Sequence, residues 1–447
     1  MAHFWQAPFP GALRRLRSGQ WLTLERARAY SLILLALYLL AIVSWIALSN
    51  GLIDPNGKPI GSDFSSFYAA GSLALDGRAL DVYDMAAHYA RERELFGAAT
   101  PYYGWLYPPI FLLVATPLAI MPYPLALAVW QFSSFSFYLF AIGAILRAAR
   151  RDSDTIAQAW LPATAAFPAV FINLGHGQNG FLTAGLLGAA LVILPQRPLS
   201  SGILFGLCAY KPQFILLIPF ALIAGGHWRT MLAAGVTVTA LALASYLAFG
   251  GEIWWAFAAS TETSRKLLLE QGDVGFEKLQ SVFAAVRMWG GGISLAYAVQ
   301  GAVSMTVLGC VALVWRSRTN HDLKAAQLII ATLLGSPHVL DYDLLIFAPA
   351  IAFLVSASRN GGFRDYHVSL LAFAWIAPLF ARAVAGACSV PLGLLAIATL
   401  FVLAMRHVMR ESTIPSLARA SAADLKSLTH PPQAPSRDFR SNAALES

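Results

Sequence analysis

Five apolar runs, residues 31–46, 125–146, 231–249, 293–315 and 392–405, constrain this chain more than anything else in it. Each is close to the length of helix that crosses the hydrocarbon core of a bilayer, about 20 residues at 1.5 Å per residue. Lipid offers no water to backbone N–H and C=O groups, so a crossing segment is a helix or a strand of a closed barrel. A barrel strand alternates polar with apolar side chains, and these runs do not. Composition agrees: 57% of the 447 residues are hydrophobic and 12% are charged, about half the charged share of a soluble domain. The expected fold class is all-α, a polytopic integral membrane protein.

Charge then orders the spans. The chain has 31 basic and 23 acidic residues, a net +8; in a soluble protein that excess would raise the question of nucleic acid. Here the basic residues lie in short loops between apolar runs, the pattern of a cytoplasmic-side signal, so no nucleic-acid partner is expected. Arg14, Arg15, Arg17, Arg26 and Arg28 precede a first span at 29–49, making residues 1–28 a basic cytoplasmic N-terminus. No small-residue cleavage site follows the run, and the first span reads as a retained anchor. The loop at 50–105 holds Asp54, Asp63, Asp76, Asp81, Asp84, Glu92 and Glu94 against Lys58, Arg78, Arg91 and Arg93, which fits an extracytoplasmic location. Within it, residues 64–76 space Phe64, Phe67, Tyr68, Gly71 and Leu75 as an amphipathic helix on the bilayer surface, and 86–96 reads as a more polar helix ended by Gly97.

Two apolar stretches are interrupted. Residues 107–122 contain Pro108, Pro109, Pro117 and Pro122, and residues 199–223 contain Lys211-Pro212. Proline in mid-helix removes a hydrogen bond and breaks the segment. If both elements turn back, the basic loops at Arg147, Arg150, Arg151, Arg197, Arg229, Arg316, Arg318, Arg359, Arg364, Arg406 and Arg410 all face the cytoplasm. That gives about ten full spans and two broken or re-entrant elements within residues 29–410; if either crosses fully, some basic loops move outside. The Ser-, Ala- and Pro-rich tail at 411–447 is expected to be a disordered cytoplasmic segment. Cys208, Cys310 and Cys388 sit in apolar surroundings without paired spacing, as inert packing residues.

On this topology four polar segments meet at the outer face: the loop around Asp63, the turn 175–179, the loop 251–292 and the turn 336–343. Asp63 is placed to cap the helix that follows or to act as a base. Lys211, between two apolar half-segments, either snorkels to the interface or meets an anion. His338 is either packed or functional, and Asp341 and Asp343 orient it, bind hydroxyls or cap the next helix. Gln178 and Asn179 suit hydroxyl recognition and are also ordinary turn residues. Gln280, Ser281 and Arg287 approach from the third loop, while Trp254 and Trp255 read as interfacial anchors. His88, His176 and His338 form no recognisable ligand set, and there is neither a phosphate-binding Gly-Lys-Ser/Thr loop nor a dinucleotide fingerprint, so neither metal nor cofactor is expected.

Five blocks carry a resemblance: SDFSSFYAAGSLALDGRALDVYD with YGWLYPPIFLLVATPLAIMP, then GHGQNGFLTAGLLGAAL, SGILFGLCAYKPQFILLIP with GHWR, EKLQSVFAAVRMWG, and SPHVLDYDLLIF. In this order, over most of residues 60–350, they resemble glycosyltransferase family 87 proteins, which are similar to polyprenol-phosphate-mannose-dependent mannosyltransferases of the C-type glycosyltransferase fold. The resemblance implies a bacterial inner-membrane hexosyltransferase, most simply a mannosyltransferase, working with inversion at the extracytoplasmic face. It implies a polyprenyl-phosphate sugar donor, a lipid or glycan acceptor, and Asp63 as general base. Lys211, His338 and Arg287 would then bind the donor phosphate; Tyr68, Gln178, Asn179, Gln280, Ser281, Asp341 and Asp343 would bind sugar or acceptor. The rival readings are a lipid or solute transporter, suggested by the broken elements and Lys211, and a non-catalytic subunit of an envelope polysaccharide complex.

Overall fold

A computed structural model describes residues 9–148, 154–358 and 362–429. The fold is all-α: among the described residues the only β pairing is a few isolated bridges. Seven helices among the described residues are long and apolar enough to span a bilayer: Leu24–Ala47, Tyr123–Ala148, Trp228–Phe249, Ile293–Arg316, Asp341–Ser358, His367–Cys388 and Leu392–Glu411. The Trp228–Phe249 helix turns almost entirely outward, with 6% of its most apolar 18 residues buried, whereas Asp341–Ser358 is the central helix, with 78% buried. A peripheral helix can be apolar all round because lipid is its solvent. About ten full spans are expected from sequence; the stretches expected to supply the others form shorter helices, among them Asp154–Ala165, Pro168–His176, Gly180–Ile193 and His321–Leu334, each below the length of a full crossing.

Both proline-interrupted stretches are broken. One divides into Pro109–Phe111 and Leu112–Ala119; the other into Pro198–Leu207, Cys208–Tyr210, Pro212–Ile215 and Ile218–Ala224. Lys211 stands at the second break in a non-helical conformation (φ −122, ψ 75), where Pro212 cannot supply an N–H to continue the ladder. In this way a lysine reaches the interior of an otherwise apolar region.

The polar loop folds as two helices with different fates. Met85–Phe96 begins one residue before the expected 86, where the Asp84 side chain accepts from the Ala87 N–H at 2.8 Å, and ends as expected at Gly97, with φ 101. The second helix, Ser62–Leu75, was expected on the bilayer surface and is instead buried on most sides. Gly71 is the reason: its backbone lies against the Ala115 carbonyl with no room for a Cβ, so the helix packs on Leu112–Ala119. Phe67 closes the contact with its ring 5.2 Å from Phe111 and 5.3 Å from Tyr107, both edge-on, worth about 0.5–1.5 kcal/mol per pair beyond burial.

The last helix runs from Leu392 to Thr429. Over 411–429 the backbone of the tail expected to be disordered continues this helix, with side chains described only to Glu411; residues 430–447 lie outside the described residues, as do Arg150, Arg151 and Arg359 of the basic loops.

Candidate active site

The site begins with two glycines. Gly61 and Gly177 both have positive φ, 72 and 64, and a Cβ on Gly177 would stand 2.6 Å from Phe64 Cβ. Only glycine lets the turn after the Pro168–His176 helix press onto the first turn of Ser62–Leu75. Trp130 Nε1 donates to the Gly177 carbonyl at 3.0 Å and Gln131 Nε2 to the Leu174 carbonyl at 2.7 Å. Asn173 pins the far side, donating to the Tyr342 carbonyl at 2.9 Å and accepting from the Gly180 N–H at 3.1 Å.

This docking brings Asp63 to Gln178. Helix Ser62–Leu75 has Gly61 as its N-cap and no side-chain cap, so Asp63 does not perform the capping role its position suggests. Its Oδ2 accepts from Gln178 Nε2 at 3.0 Å, and its Oδ1 lies 3.7 Å from His176 Nδ1. Gln178 is held in register by its own acceptor oxygen, which takes the Tyr107 hydroxyl at 3.2 Å and the Asn179 N–H at 2.8 Å. His176 Nδ1 also lies 2.9 Å from Ser62 Oγ.

Burial pushes the Asp63 carboxyl upward, but His176, the Lys278 charge and the Gln178 amide outweigh it and hold the pKa at about 2. The carboxylate is therefore ionised, yet 17% of the side chain stays open to a reactant. Lys278 reaches this neighbourhood because residues 278–280 pair with 339–341: Gln280 N–H donates to the Val339 carbonyl at 2.7 Å and Asp341 N–H to the Lys278 carbonyl at 3.1 Å. Asp341 is buried and feels the charges of Lys278, His176 and Arg382.

Beyond Tyr107 and Tyr342 lies a cavity of about 210 Å³, lined also by Tyr210, Lys211, Arg265, His338 and Asp343. Asp63 does not line it; the connection runs through Gln178 to Tyr107. Tyr342 stands between the two halves, its ring 5.3 Å from Lys211 Nζ and 6.2 Å from the His176 ring. Lys211 and Asp343 form an ion pair at 2.7 Å with side chains 4% and 1% exposed. The other Asp343 oxygen accepts from the Leu340 N–H at 3.0 Å. Burial lowers the His338 pKa below the usual histidine value, and Asp343 opposes the shift. His338 Nε2 is buried with no hydrogen-bond partner among the described residues, and so are both amide atoms of Asn179. These atoms have bonding capacity free for a ligand.

The remaining residues singled out from sequence stand apart from the cavity lining. The Tyr68 hydroxyl donates to the Met121 carbonyl at 2.9 Å. Ser281 caps the Val282–Met288 helix, and the Gln280 amide donates to the Glu277 carbonyl at 2.9 Å. Arg287 donates to the Gly291 and Glu270 carbonyls at 2.9 and 3.0 Å, with its guanidinium over the Phe276 ring. Residues at the site that were not candidates from sequence include His176, Lys278, Tyr107, Tyr210, Tyr342 and Arg265. His176 adjoins the chosen turn and Lys278 lies two positions before Gln280, so proximity was the available signal. Nothing in the sequence marks Arg265.

Fold and site together define a multi-pass helical membrane protein whose polar centre is built from turns and helix breaks around a partly exposed, ionised carboxylate. The family model described as Glycosyltransferase family 87 matches residues 105–337, more than half of the chain. The chain belongs to that family and is a membrane glycosyltransferase. The matched span includes His176, Gln178, Lys211, Arg265 and Lys278; Asp63 precedes it, and His338, Asp341 and Asp343 follow it. Comparisons with curated proteins and with solved structures found no significant match.

Proposed function

We propose that the chain transfers a hexose, in the first instance mannose, from a polyprenyl-phosphate carrier to a lipid or glycan acceptor at the extracytoplasmic face, with inversion and with Asp63 as general base. The observation that carries this reading is the state of Asp63: ionised, free of helix capping, oriented by Gln178 and partly open. The acceptor oxygen attacks the anomeric carbon as the bond from that carbon to the phosphate oxygen breaks, its electron pair leaving with the phosphate. The hydroxyl proton passes to the Asp63 carboxylate. A carboxylate with so low a pKa is a weak base, but the attacking hydroxyl becomes acidic as its new bond forms, and the base is ionised at every physiological pH. One carboxylate suffices because phosphate departs as a stable anion, whereas glycoside hydrolysis needs a second carboxyl to protonate its leaving group. The bond to phosphate supplies the driving force, so no nucleotide or other cofactor is required.

The cavity beside the broken segments supports a lipid-linked donor: its polar lining reaches an interrupted apolar element, beside which an isoprenoid tail can stay in the bilayer. His338 lines the cavity with its Nε2 unpartnered, and the tautomer that carries its proton there donates to a phosphate oxygen. Incubating purified protein with polyprenyl-phosphate mannose, glucose and galactose, followed by mass analysis of extracted lipids and glycans, tests donor and sugar together. Transfer from the mannose carrier is expected, with a loss of about 10²- to 10⁴-fold in Asp63→Asn. Near-normal turnover in that variant would remove Asp63 from the role of base. A wild-type protein inactive with every donor would favour the reading as a non-catalytic subunit.

A further inference from the structure

The charge balance of the cavity points to a residue outside those just discussed. Among its lining residues the side chains of fixed charge are Lys211, Asp343 and Arg265. Lys211 and Asp343 cancel one another in a buried pair at 2.7 Å, and drawing either from its partner leaves an uncompensated buried charge. The His338 imidazole is shifted toward its neutral form by burial. The positive charge open to an incoming anion is therefore that of Arg265.

Arg265 ends the Glu252–Arg265 helix, and Ser260, Thr261 and Ser264 line the cavity from the same helix face. The Ser260 and Thr261 hydroxyls donate to their own helix, to the Phe257 and Ala258 carbonyls, so their oxygens remain free to accept from a sugar hydroxyl. Arg265 now donates to Glu270 Oε1 at 2.7 Å, in a pair whose side chains are 48% and 18% exposed. An ion pair this exposed to water contributes little and is readily exchanged. Glu270 keeps other anchors: its carboxylate accepts from the Tyr297 hydroxyl at 3.2 Å, and its carbonyl from Arg287 at 3.0 Å. Directly after Arg265 the chain forms a π-helical turn, Lys266–Gln271, which carries Glu270; such turns are frequent at functional sites.

We propose that Arg265 is the donor-phosphate ligand of this enzyme, exchanging Glu270 for a phosphate oxygen when the donor occupies the cavity. The proposal rests on the polyprenyl-phosphate reading above. A donor phosphodiester carries one negative charge, which can replace the Glu270 carboxylate as the counter-charge of Arg265. The planar guanidinium can grip two phosphate oxygens at once. Arg287 stands outside the cavity lining, and its Nη1 and Nη2 donate to the Gly291 and Glu270 carbonyls, so it acts as a positioning residue that holds the end of the π-helical turn.

Calorimetric binding of farnesyl phosphate and of farnesol to purified protein in nanodiscs separates phosphate recognition from tail recognition. Arg265→Gln is expected to weaken farnesyl phosphate about ten- to hundredfold while leaving farnesol unchanged. Arg265→Lys should restore part of the loss, and Glu270→Gln, which removes the competing carboxylate, should tighten farnesyl phosphate severalfold. In transfer assays the Arg265→Gln lesion should raise the donor KM far more than it lowers kcat. An Arg265→Gln protein that binds farnesyl phosphate as the wild type does overturns this assignment and leaves the donor reading standing. A wild type that binds farnesyl phosphate no better than farnesol overturns both.

Discussion

Asp63 is at once the most reactive-looking carboxylate of the molecule and a contributor to its stability, because His176, Lys278 and Gln178 all favour its charged form. Its pKa is about 2 in the folded protein and about 3.9 in an unfolded chain. A depressed carboxylate pKa contributes stability that is fully present above the unfolded value and lost as pH falls through the folded one. Roughly 2 kcal/mol is involved. The difference in thermal midpoint between wild type and Asp63→Asn should therefore be constant above about pH 5 and shrink as the pH drops toward 2. A midpoint difference that stayed constant down to pH 2 would show that Asp63 is not held as described. The same low pKa means that an acid limb of activity near pH 6 would belong to some other group.

At the scale of elements, the break at Lys211 and the first turn of the central helix are tied by one buried ion pair. Lys211→Met alone leaves Asp343 charged and enclosed, an arrangement that costs about 3–5 kcal/mol. The double variant Lys211→Met/Asp343→Asn removes both charges and keeps an acceptor for the Leu340 N–H, so it should recover most of that loss. Thermal unfolding in detergent measures both variants, and a single variant no less stable than the double would mean the pair is not energetically coupled. The helix Ser62–Leu75 and the 175–179 turn depend on a different device, the mutual approach of Gly61 and Gly177. There close packing, not charge, sets the distance between Asp63 and Gln178.

At the scale of the whole molecule, the proposed orientation puts the 50–105 loop outside the cell and the basic loops inside, and exposed residues make this testable. In a background with Cys208, Cys310 and Cys388 replaced by serine, a cysteine at Lys58 should react with an impermeant maleimide in intact cells. A cysteine at Arg197 should react only after permeabilisation. Both positions are exposed, unlike Gln178, which is too buried for labelling to report its side. Labelling at Arg197 from outside would mean that one of the two broken elements crosses completely.

The membrane class, the helical fold and both helix breaks follow from the sequence, because apolar length and proline act locally and need no partner to be read. The 3.6-residue spacing likewise locates the helix that became Ser62–Leu75. Its burial does not follow from the sequence: Gly71 belongs to the apolar stripe expected to face lipid, and Ser65 and Ser66 lie off it, yet small residues are also what close packing against other helices requires. The same limit applies to the site. Asp63, Gln178, Lys211 and His338 could be picked out by residue type and position. The pairing of Lys211 with Asp343, the approach of Lys278 to Asp63 and the presence of Arg265 in the cavity join residues far apart in the chain. Charge compensation and close contact depend on distances in space, and only the tertiary structure decides those.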